Sequence, residues 1–290
     1  MALDLISNST KRGFINIIKS FSIPWDLSVY KLAELLRKEC DDELVKVKCY
    51  DETKGGISGG TIDTMLQFVE GKYKAKRFDF DPYYRTANGE KSKFKTKDKS
   101  SPWLQKYKKD GKWTIPWVMG TINYDVIKRT WALDPKAQNN LTYEEFWRHH
   151  SFHDAFPTWF GLVFGVTALL NPLSGSIVKS VLPKPGQGPT KKQMKHGYLL
   201  VSAEGEGCKG SKVESEFYFP GDPGYLDTAR MLAESGLTLA LEANKIPCKR
   251  GGFFSPAAAM GDVLLKRLCM SGSKYASRVV VKDGKFKSKL

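Results

Sequence analysis

The sequence predicts an α/β or α+β fold whose mixed, partly antiparallel sheet is covered by helices. One alternation of apolar and charged residues, Leu44 to Tyr50, predicts a half-exposed strand. Two further alternating segments, Tyr198 to Ala203 and Val213 to Phe219, flank a glycine-rich turn and predict an antiparallel hairpin. A helical periodicity follows from Tyr225 to Asn244. Because strands and helices are interspersed and one strand pair is antiparallel, the sheet is expected to be mixed.

Local start signals place further elements in chain order. A helix is expected from Pro24 to about Cys40, because proline favours the first turn of a helix. The run GGISGG, Gly55 to Gly60, predicts a turn that leads into a short helix beginning at Thr61. The segment Lys112 to Asn123 is interpreted as a proline-containing strand.

The last elements surround a second glycine-rich segment. Gly252 to Phe254 predicts a short strand. Ser255 is the expected N-cap and Pro256 the first residue of a last helix that ends near Met270. The lysine-rich tail beyond this helix is expected to be extended.

Composition and charge exclude several classes of protein. Of the 290 residues, 41% are hydrophobic and 27% are charged, values typical of a globular chain and not of a disordered or collagen-like one. The 46 Lys and Arg exceed the 31 Asp and Glu by +15, which favours polyanionic partners such as nucleic acid or anionic membranes. The five cysteines form no CxxC pair and are expected to be free thiols, so an intracellular protein is predicted and a secreted one is not.

Much of the charge lies in a basic loop, residues 72–112, where 14 Lys and Arg face five acids and contribute +9. Lys91 to Ser101 contains one apolar residue and is expected to be a solvated loop. Because aromatic residues flank this segment, one interpretation is single-stranded nucleic acid binding, with lysines on phosphates and rings on bases. The other interpretation is an exposed insertion whose flanking aromatics are buried.

A second unusual segment, Ala155 to Val178, has 24 residues without a charge. Pro157 and Pro172 interrupt it and leave 14 residues between them, fewer than the roughly 20 that cross a bilayer. An interfacial or re-entrant helix at an anionic membrane is therefore predicted, with a buried core helix as the alternative. The residues expected to contact lipid are Trp159, Phe160, Leu162 and Phe164.

Motifs for catalysis and metal binding are weak. The GGISGG run can hold an anion, but its glycines lack the spacing G-x-G-x-x-G, and no GK[ST] occurs. We therefore predict no dinucleotide fingerprint and no P-loop in this chain. His149, His150 and His153 form HHxxH, but the chain has four histidines in all, too few for a histidine-rich di-iron centre, and no metal is predicted.

Six segments carry a resemblance to a known family. They are SIPWDLSV (22–29), SGGTIDTM (58–65), IPWVMGTINYDVIKRT (115–130), LPKPGQGPTKKQ (182–193), GDPGYLDTARMLAESGLTLA (221–240) and GGFFSPAAAMGDVLLKRL (251–268). Together these segments resemble the C-terminal region of saccharopine dehydrogenase-like oxidoreductases, a group that includes trans-acting enoyl reductases. The resemblance covers residues 13–290, and residues 1–12 are interpreted as an N-terminal extension.

The resemblance implies a substrate-side domain of an NAD(P)-dependent oxidoreductase of lipid metabolism, without the Rossmann half that such proteins carry. By itself the chain is expected to bind no cofactor and to be inactive, whereas a partner with a Rossmann domain would supply NAD(P). It would serve as an accessory subunit or as one half of a split enzyme, associated with mitochondria, lipid droplets or endoplasmic reticulum. The alternative is a nucleic-acid-binding or assembly component of a larger complex that uses the basic loop.

If a partner supplies the nucleotide, loop positions give candidates for the shared cleft. These are Gly59, Gly60, Thr61, Tyr225, Gly251, Gly252, Ser255 and Pro256.

Overall fold

The structure is a computed structural model that describes residues 22–55, 86, 89–117, 119–182, 188–248, 252, 254–282 and 285–286. The helices of the described residues are α1 (Ile23–Leu35), α2 (Gly120–Leu133), α3 (Phe152–Leu170), α4 (Pro172–Val181), α5 (Lys191–Lys195), α6 (Leu226–Leu241) and α7 (Pro256–Met270). The strands are β1 (Leu44–Lys54), β2 (Thr96–Asp98), β3 (Gln105–Lys106), β4 (Trp113–Pro116), β5 (Leu141–His149), β6 (Tyr198–Gly207), β7 (Lys212–Phe219), β8 (Lys274–Lys282) and β9 (Lys285–Phe286).

The strands form one mixed sheet, which confirms the predicted fold class. Its order is β3-β4-β5-β1-β6-β7-β8-β9, and β2 pairs with β5. The β1/β5 and β2/β5 pairs are parallel, and the other pairs are antiparallel. The centre of the sheet is therefore a parallel pair whose two carboxyl ends meet at one edge.

One face of this sheet is covered by α1, α2 and α7, and α6 packs against α7. Helix α1 lies at the centre, because its apolar residues point both to the sheet and to the other two helices. Among its fully buried side chains are Trp25, Leu27 and Leu32. The opposite face of the sheet carries charged residues and is partly covered by the chain around β3.

Several predicted elements are confirmed by the structure. Helix α1 begins next to Pro24 and continues through a π-helical turn to Cys40. The hairpin is formed by β6 and β7, and the last two helices are α6 and α7. Each of these elements has a strong local signal, either strict alternation or a proline at the first turn.

Three predictions about local structure are wrong. Only Trp113–Pro116 of the segment Lys112 to Asn123 is a strand, and α2 begins at Gly120 because its buried face packs against α1. No strand is formed by the described residues between Gly252 and Phe254. Residues Lys91 to Ser101 are not wholly a solvated loop, since β2 extends the sheet beside β5.

The apolar segment forms two helices, α3 and α4, which we call the aromatic hairpin (152–181). Pro157 does not interrupt α3, contrary to our prediction: the helix already begins at Phe152, and the proline is accommodated within it. The break comes at Asn171, whose side chain accepts a hydrogen bond from the Leu173 backbone N–H and caps α4. None of the described helices combines the length and apolar composition needed to cross a bilayer.

Candidate functional site

Two acidic residues meet in the interior between the sheet and α1. Asp51 of β1 and Glu145 of β5 are 0% and 1% exposed and lie within hydrogen-bonding reach of each other. Trp25 Nε1 donates to Asp51 Oδ1 at 2.9 Å, and Asn123 Nδ2 donates to Glu145 Oε1 at 2.7 Å. The Tyr143 hydroxyl donates to the other oxygen of Glu145.

This arrangement favours a proton shared by the two carboxyl groups. Burial and the mutual repulsion of the two groups raise the pKa of Asp51 well above its usual range, and burial raises the pKa of Glu145 as well. Among the described residues no N–H or O–H donor reaches Asp51 Oδ2. Two carboxyl groups that cannot both ionise in a buried site are expected to share one proton, which would supply a donor here.

A third buried carboxyl group belongs to Asp26, which follows Trp25 in α1. Asp26 Oδ2 accepts the Ala257 backbone N–H of α7 at 2.7 Å, and Asp26 Oδ1 accepts the Thr130 hydroxyl of α2. Thr130 Oγ1 also lies 2.6 Å from Ser255 Oγ, so the Thr130 hydroxyl joins Asp26 to Ser255. Burial raises the pKa of Asp26 to about 7.

These three groups, Asp26, Asp51 and Glu145, form what we call the buried carboxyl layer. Together they join α1 to α2, to α7 and to the sheet. Groups with a raised pKa of this kind can accept or donate a proton near neutral pH, which is the property that general acids and bases need.

A cleft of about 760 Å³ opens beside the layer, between α1, α2 and α7. Thr130 and Ala257 line it, so the hydrogen bonds of Asp26 reach its wall. Much of the remaining wall is apolar or aromatic, and includes Tyr30, Leu35 and Phe254. The cleft therefore combines an apolar surface with a polar point where α2 and α7 meet.

Charged groups on the cleft wall neutralise one another. Lys31 Nζ lies 2.7 Å from Glu34 and 2.7 Å from Asp262. Arg37 likewise pairs with Glu43 at 2.7 Å and with Asp134 at 2.8 Å. Since Lys31 and Arg37 already have acidic partners, they do not offer free positive charge to a strongly anionic ligand.

Four predicted cleft residues lie in described parts of the chain, and none of them lines this cleft. Ser255 is buried and takes part in the Asp26 network, yet its side chain caps no helical N–H. Pro256 is the first residue of α7, as predicted, and is also buried. Gly252 is exposed and has a φ of 158°, which is extended backbone. Gly59, Gly60, Thr61 and Gly251 lie outside the described residues.

Tyr225 lies at the start of α6, in a turn that already carries its own carboxylates. The Tyr225 N–H donates to Asp222 Oδ2 at 2.8 Å, and the Gly221 N–H donates to Asp227 Oδ2 at 2.7 Å. Asp222 and Asp227 are buried, and their carboxylates accept the backbone N–H groups of this glycine-containing turn between strand and helix. That no NAD(P) binds to this chain alone stays a prediction.

The spacing G-x-G-x-x-G does occur once, contrary to our prediction that no fingerprint is present, in Gly205-Glu-Gly-Cys-Lys-Gly210. It spans the turn between the antiparallel strands β6 and β7, where Gly210 has a φ of +87°. A strand follows it, whereas a dinucleotide site needs a helix N-terminus at that point. Ser58, with Gly56 and Gly60 two residues away on each side, has the spacing of a nucleophile elbow and lies outside the described residues.

The three neighbouring histidines do not converge. His149 is half-buried beside the Trp147 ring, and burial lowers its pKa. His150 Nε2 lies 3.7 Å from Glu52, and His153 is exposed on the first turn of α3. Among the described residues no group of three or more His, Cys, Asp or Glu is placed to hold a metal ion.

The aromatic hairpin exposes a row of stacked rings. Phe152, Phe156, Phe160 and Phe164 recur at every fourth residue of α3, with ring centroids 5.3, 6.1 and 5.9 Å apart along the row. Phe160 and Phe164 are 53% and 61% exposed, and Leu173 of α4 is 88% exposed. The alternative of a buried core helix is therefore wrong for this segment.

The other two predicted lipid contacts differ from the phenylalanines. Trp159 is only partly exposed, because its Nε1 donates to the Pro102 carbonyl at 3.1 Å and its ring lies 6.3 Å from that of Trp103. Leu162 is also partly buried. Trp159 thus attaches α3 to the basic loop, and the phenylalanines form the free surface.

Several cations of the described part of the basic loop are paired with acids of the sheet. Lys109 Nζ lies 3.2 Å from Glu204 and also contacts Glu214, and Lys112 Nζ lies 2.6 Å from Glu52. The Tyr107 ring lies 4.3 Å from that of Tyr50. These contacts fit an insertion packed on the outer face of the sheet, while residues 72–85 lie outside the described part of the chain.

Asp51 and Glu145 were not among the residues that the sequence predicted for the site. A signal for Asp51 was present, because the alternation of Val47 and Cys49 continues to it and places it on the buried face. For Glu145, the corresponding signal is its alternation with Leu141 and Tyr143 in β5, a strand that was not predicted.

Comparison with known proteins finds relatives in mycobacteria. A Mycobacterium tuberculosis protein provisionally named trans-acting enoyl reductase is 32% identical over 272 residues, which cover 87% of this chain and 64% of that protein. Proteins named trans-acting enoyl reductase in Mycobacterium bovis and Mycobacterium leprae are 29% identical, with the same coverage of both chains. This chain thus has homologues named trans-acting enoyl reductase, and it spans less than two thirds of their length.

No protein-family model and no solved structure matches the chain. The resemblance to saccharopine dehydrogenase-like proteins therefore stays a prediction, whereas the trans-acting enoyl reductases that it includes are found as homologues.

Proposed function

We propose that this chain is the lipid-side part of an oxidoreductase of the enoyl-reductase type and that it works at a membrane surface. In this proposal it carries no NAD(P) site of its own. It acts as an accessory subunit, or as one half of a split enzyme of lipid metabolism whose nucleotide-binding half has the saccharopine dehydrogenase-like Rossmann fold.

The observation that carries the proposal is the exposed aromatic row of the hairpin. Four stacked phenylalanines and the exposed Leu173 form a continuous apolar surface, which costs free energy in water and favours insertion into the outer part of a bilayer. The names of the homologues support a lipid-modifying reaction, and the apolar wall of the cleft suits an acyl chain.

The proposal assigns the hydride donor and the acyl-chain site to two different polypeptides. A partner's bound nicotinamide would supply the hydride. The residues of this chain would hold the acyl chain in the cleft, and the network of Asp26, Thr130 and Ser255 would keep a proton at the cleft wall.

Vesicle flotation of the full chain tests the membrane part. We expect the double variant Phe160→Ser/Phe164→Ser to lose most of its binding to vesicles that contain anionic lipid. The matched control is Leu237→Ser/Leu241→Ser, which also removes two exposed apolar side chains, 42% and 69% exposed, but from α6. Equal binding by the two double variants would contradict a membrane role for the hairpin.

Titration with NADPH, followed by nucleotide fluorescence, tests the cofactor part. We expect no binding by the chain alone in the micromolar range. Tight binding by the purified chain would contradict the proposal that a partner supplies the nucleotide.

A further inference from the structure

A second cavity, of about 370 Å³, lies at the carboxyl end of β1. The described residues that line it are Lys54, Gly55, Lys192, Gln193 and His196. Three of these five residues carry a basic side chain. The carboxyl ends of parallel strands are a common place for ligand binding, and β1 belongs to the parallel pair of this sheet.

The wall of this cavity is fixed by close backbone packing. A Cβ on Gly55 would lie 2.3 Å from Asp222 Oδ1, and a Cβ on Gly197 would lie 2.7 Å from the Lys54 carbonyl oxygen. The Asp222 N–H donates to the Met194 carbonyl at 3.0 Å and ties α5 to the turn before α6. Glycine at position 197 lets the chain after α5 approach the end of β1, and glycine at position 55 leaves room for the Asp222 side chain.

The side chains on α5 are held in place as well. Thr190 and Gln193 form a reciprocal capping box, which fixes the start of the helix. His196 Nδ1 donates to the Lys192 carbonyl at 2.8 Å, which orients the ring, and Nε2 donates to an anionic ligand when the imidazole is protonated. Since Gln193 is used in the cap, Lys54, Lys192 and His196 are the groups available to bind.

The lysines at this cavity have no counterion among the described residues, unlike Lys31 and Arg37 at the larger cleft. Lys54 and Lys192 take part in no ion pair of the described residues within 4 Å. The nearest acid at the wall, Asp222, is buried behind Gly55 and accepts the Tyr225 N–H. Two ammonium groups without a counterion match the double charge of a phosphomonoester, and lysine binds phosphate as a point charge.

We propose that Lys54, Lys192 and His196 form a binding site for a phosphomonoester group. The group belongs either to a soluble phosphate compound or to the headgroup of an anionic lipid. The site is separate from the 760 Å³ cleft, with which it shares no lining residue.

Binding is measured on the full chain with two probes. Phosphorus NMR or calorimetry follows inorganic phosphate, and flotation follows phosphatidylcholine vesicles with and without phosphatidic acid. The test variant is Lys54→Gln/Lys192→Gln. The control is Lys191→Gln/Lys195→Gln, which removes the same charge from α5 but spares the cavity lining.

We expect the test variant to weaken phosphate binding by about tenfold or more and the control to change it by less than about twofold, because only the test variant removes charge-assisted hydrogen bonds. Loss confined to inorganic phosphate identifies a soluble ligand, and loss confined to phosphatidic acid vesicles identifies a lipid headgroup. Both outcomes support the site.

Equal weakening in the two double variants would show a diffuse charge effect and overturn the proposal, as would an unchanged affinity in the test variant. The variant Phe160→Ser/Phe164→Ser separates this site from the proposed membrane role. It is expected to keep its affinity for inorganic phosphate even if it no longer floats with vesicles.

Discussion

The buried carboxyl layer and the aromatic hairpin reverse the usual distribution of polar and apolar groups. Asp26, Asp51 and Glu145 are at most 1% exposed, whereas Phe164 and Leu173 are 61% and 88% exposed. Buried acids are tolerated when hydrogen bonds and protons satisfy them, and exposed apolar rows are tolerated when a partner covers them. The hydrogen bonds of the first region come from this chain, and the second region is the surface that we propose contacts a membrane.

Trp25→Ala is expected to have the largest effect on stability. It removes a fully buried indole and leaves Asp51 without its N–H donor, so the free energy of unfolding should fall by about 3–5 kcal/mol. The free energy of unfolding is measured by urea titration, with circular dichroism as the signal. Trp103→Ala is the control, because Trp103 is 67% exposed. A similar loss in both variants would contradict the central role of α1.

The pH dependence of stability tests the protonation of the layer. Burial raises the pKa of Asp26 from 3.8 to about 7, so the folded state binds more protons than the unfolded state between these values. The contribution of Asp26 to the free energy of unfolding should therefore be fully present below about pH 4. It should fall by roughly 2–4 kcal/mol as the pH rises from 4 through 7.

Asp26→Asn should flatten this part of the pH profile, since the amide does not ionise. Asp41→Asn is the matched control, because the Asp41 side chain is fully exposed. Thermal unfolding between pH 4 and pH 8 gives the comparison. An unchanged slope in Asp26→Asn would show that Asp26 is ionised in the folded protein throughout this range.

Thr130→Val tests the contact between the layer and the cleft. The substitution keeps the side-chain shape but removes the hydroxyl that lies between Asp26 and Ser255, and should cost about 1–3 kcal/mol of unfolding free energy. Thr167→Val on the exposed part of α3 serves as control, since its hydroxyl bonds only to backbone carbonyls of its own helix. Chemical unfolding of both variants decides whether the buried hydroxyl differs from the exposed one.

Phe164→Ser is expected to have the smallest effect on stability. Because the ring is mostly exposed, the unfolding free energy should change by less than about 0.5 kcal/mol. The same chemical unfolding measurement applies. A loss comparable to that of Trp25→Ala would mean that the hairpin is part of the folded core and not a surface for a partner.

Local sequence signals were sufficient to predict those helices and strands that are marked by a proline at the first turn or by alternation of apolar residues. The proline at the start of α1, the alternation in β6 and β7, and the Ser255-Pro256 start of α7 all predicted the elements that the structure contains. The charge-free segment predicted an apolar surface that includes Phe160 and Phe164, and both side chains are exposed.

Tertiary packing decided the features that depend on two elements at once. Helix α2 is rich in β-branched residues, and its first four residues belong to the segment Lys112 to Asn123 that was predicted to be a strand, but packing against α1 and α7 favours the helix. The same packing directs Asn123 and Thr130 to carboxyl groups that come from distant parts of the sequence.

The sequence by itself determined the mixed fold, the basic character and the apolar segment of this protein, because each depends on local order or on composition. Only the tertiary structure decided that Asp26, Asp51 and Glu145 share one interior and that Trp159 turns toward Pro102 while the phenylalanines face outward. It also decided that the lysines near β3 are paired with the sheet, whereas Lys54 and Lys192 meet at one cavity. Burial and proximity between distant residues are properties of the folded chain, and they set which charges are neutralised and which remain to bind a partner.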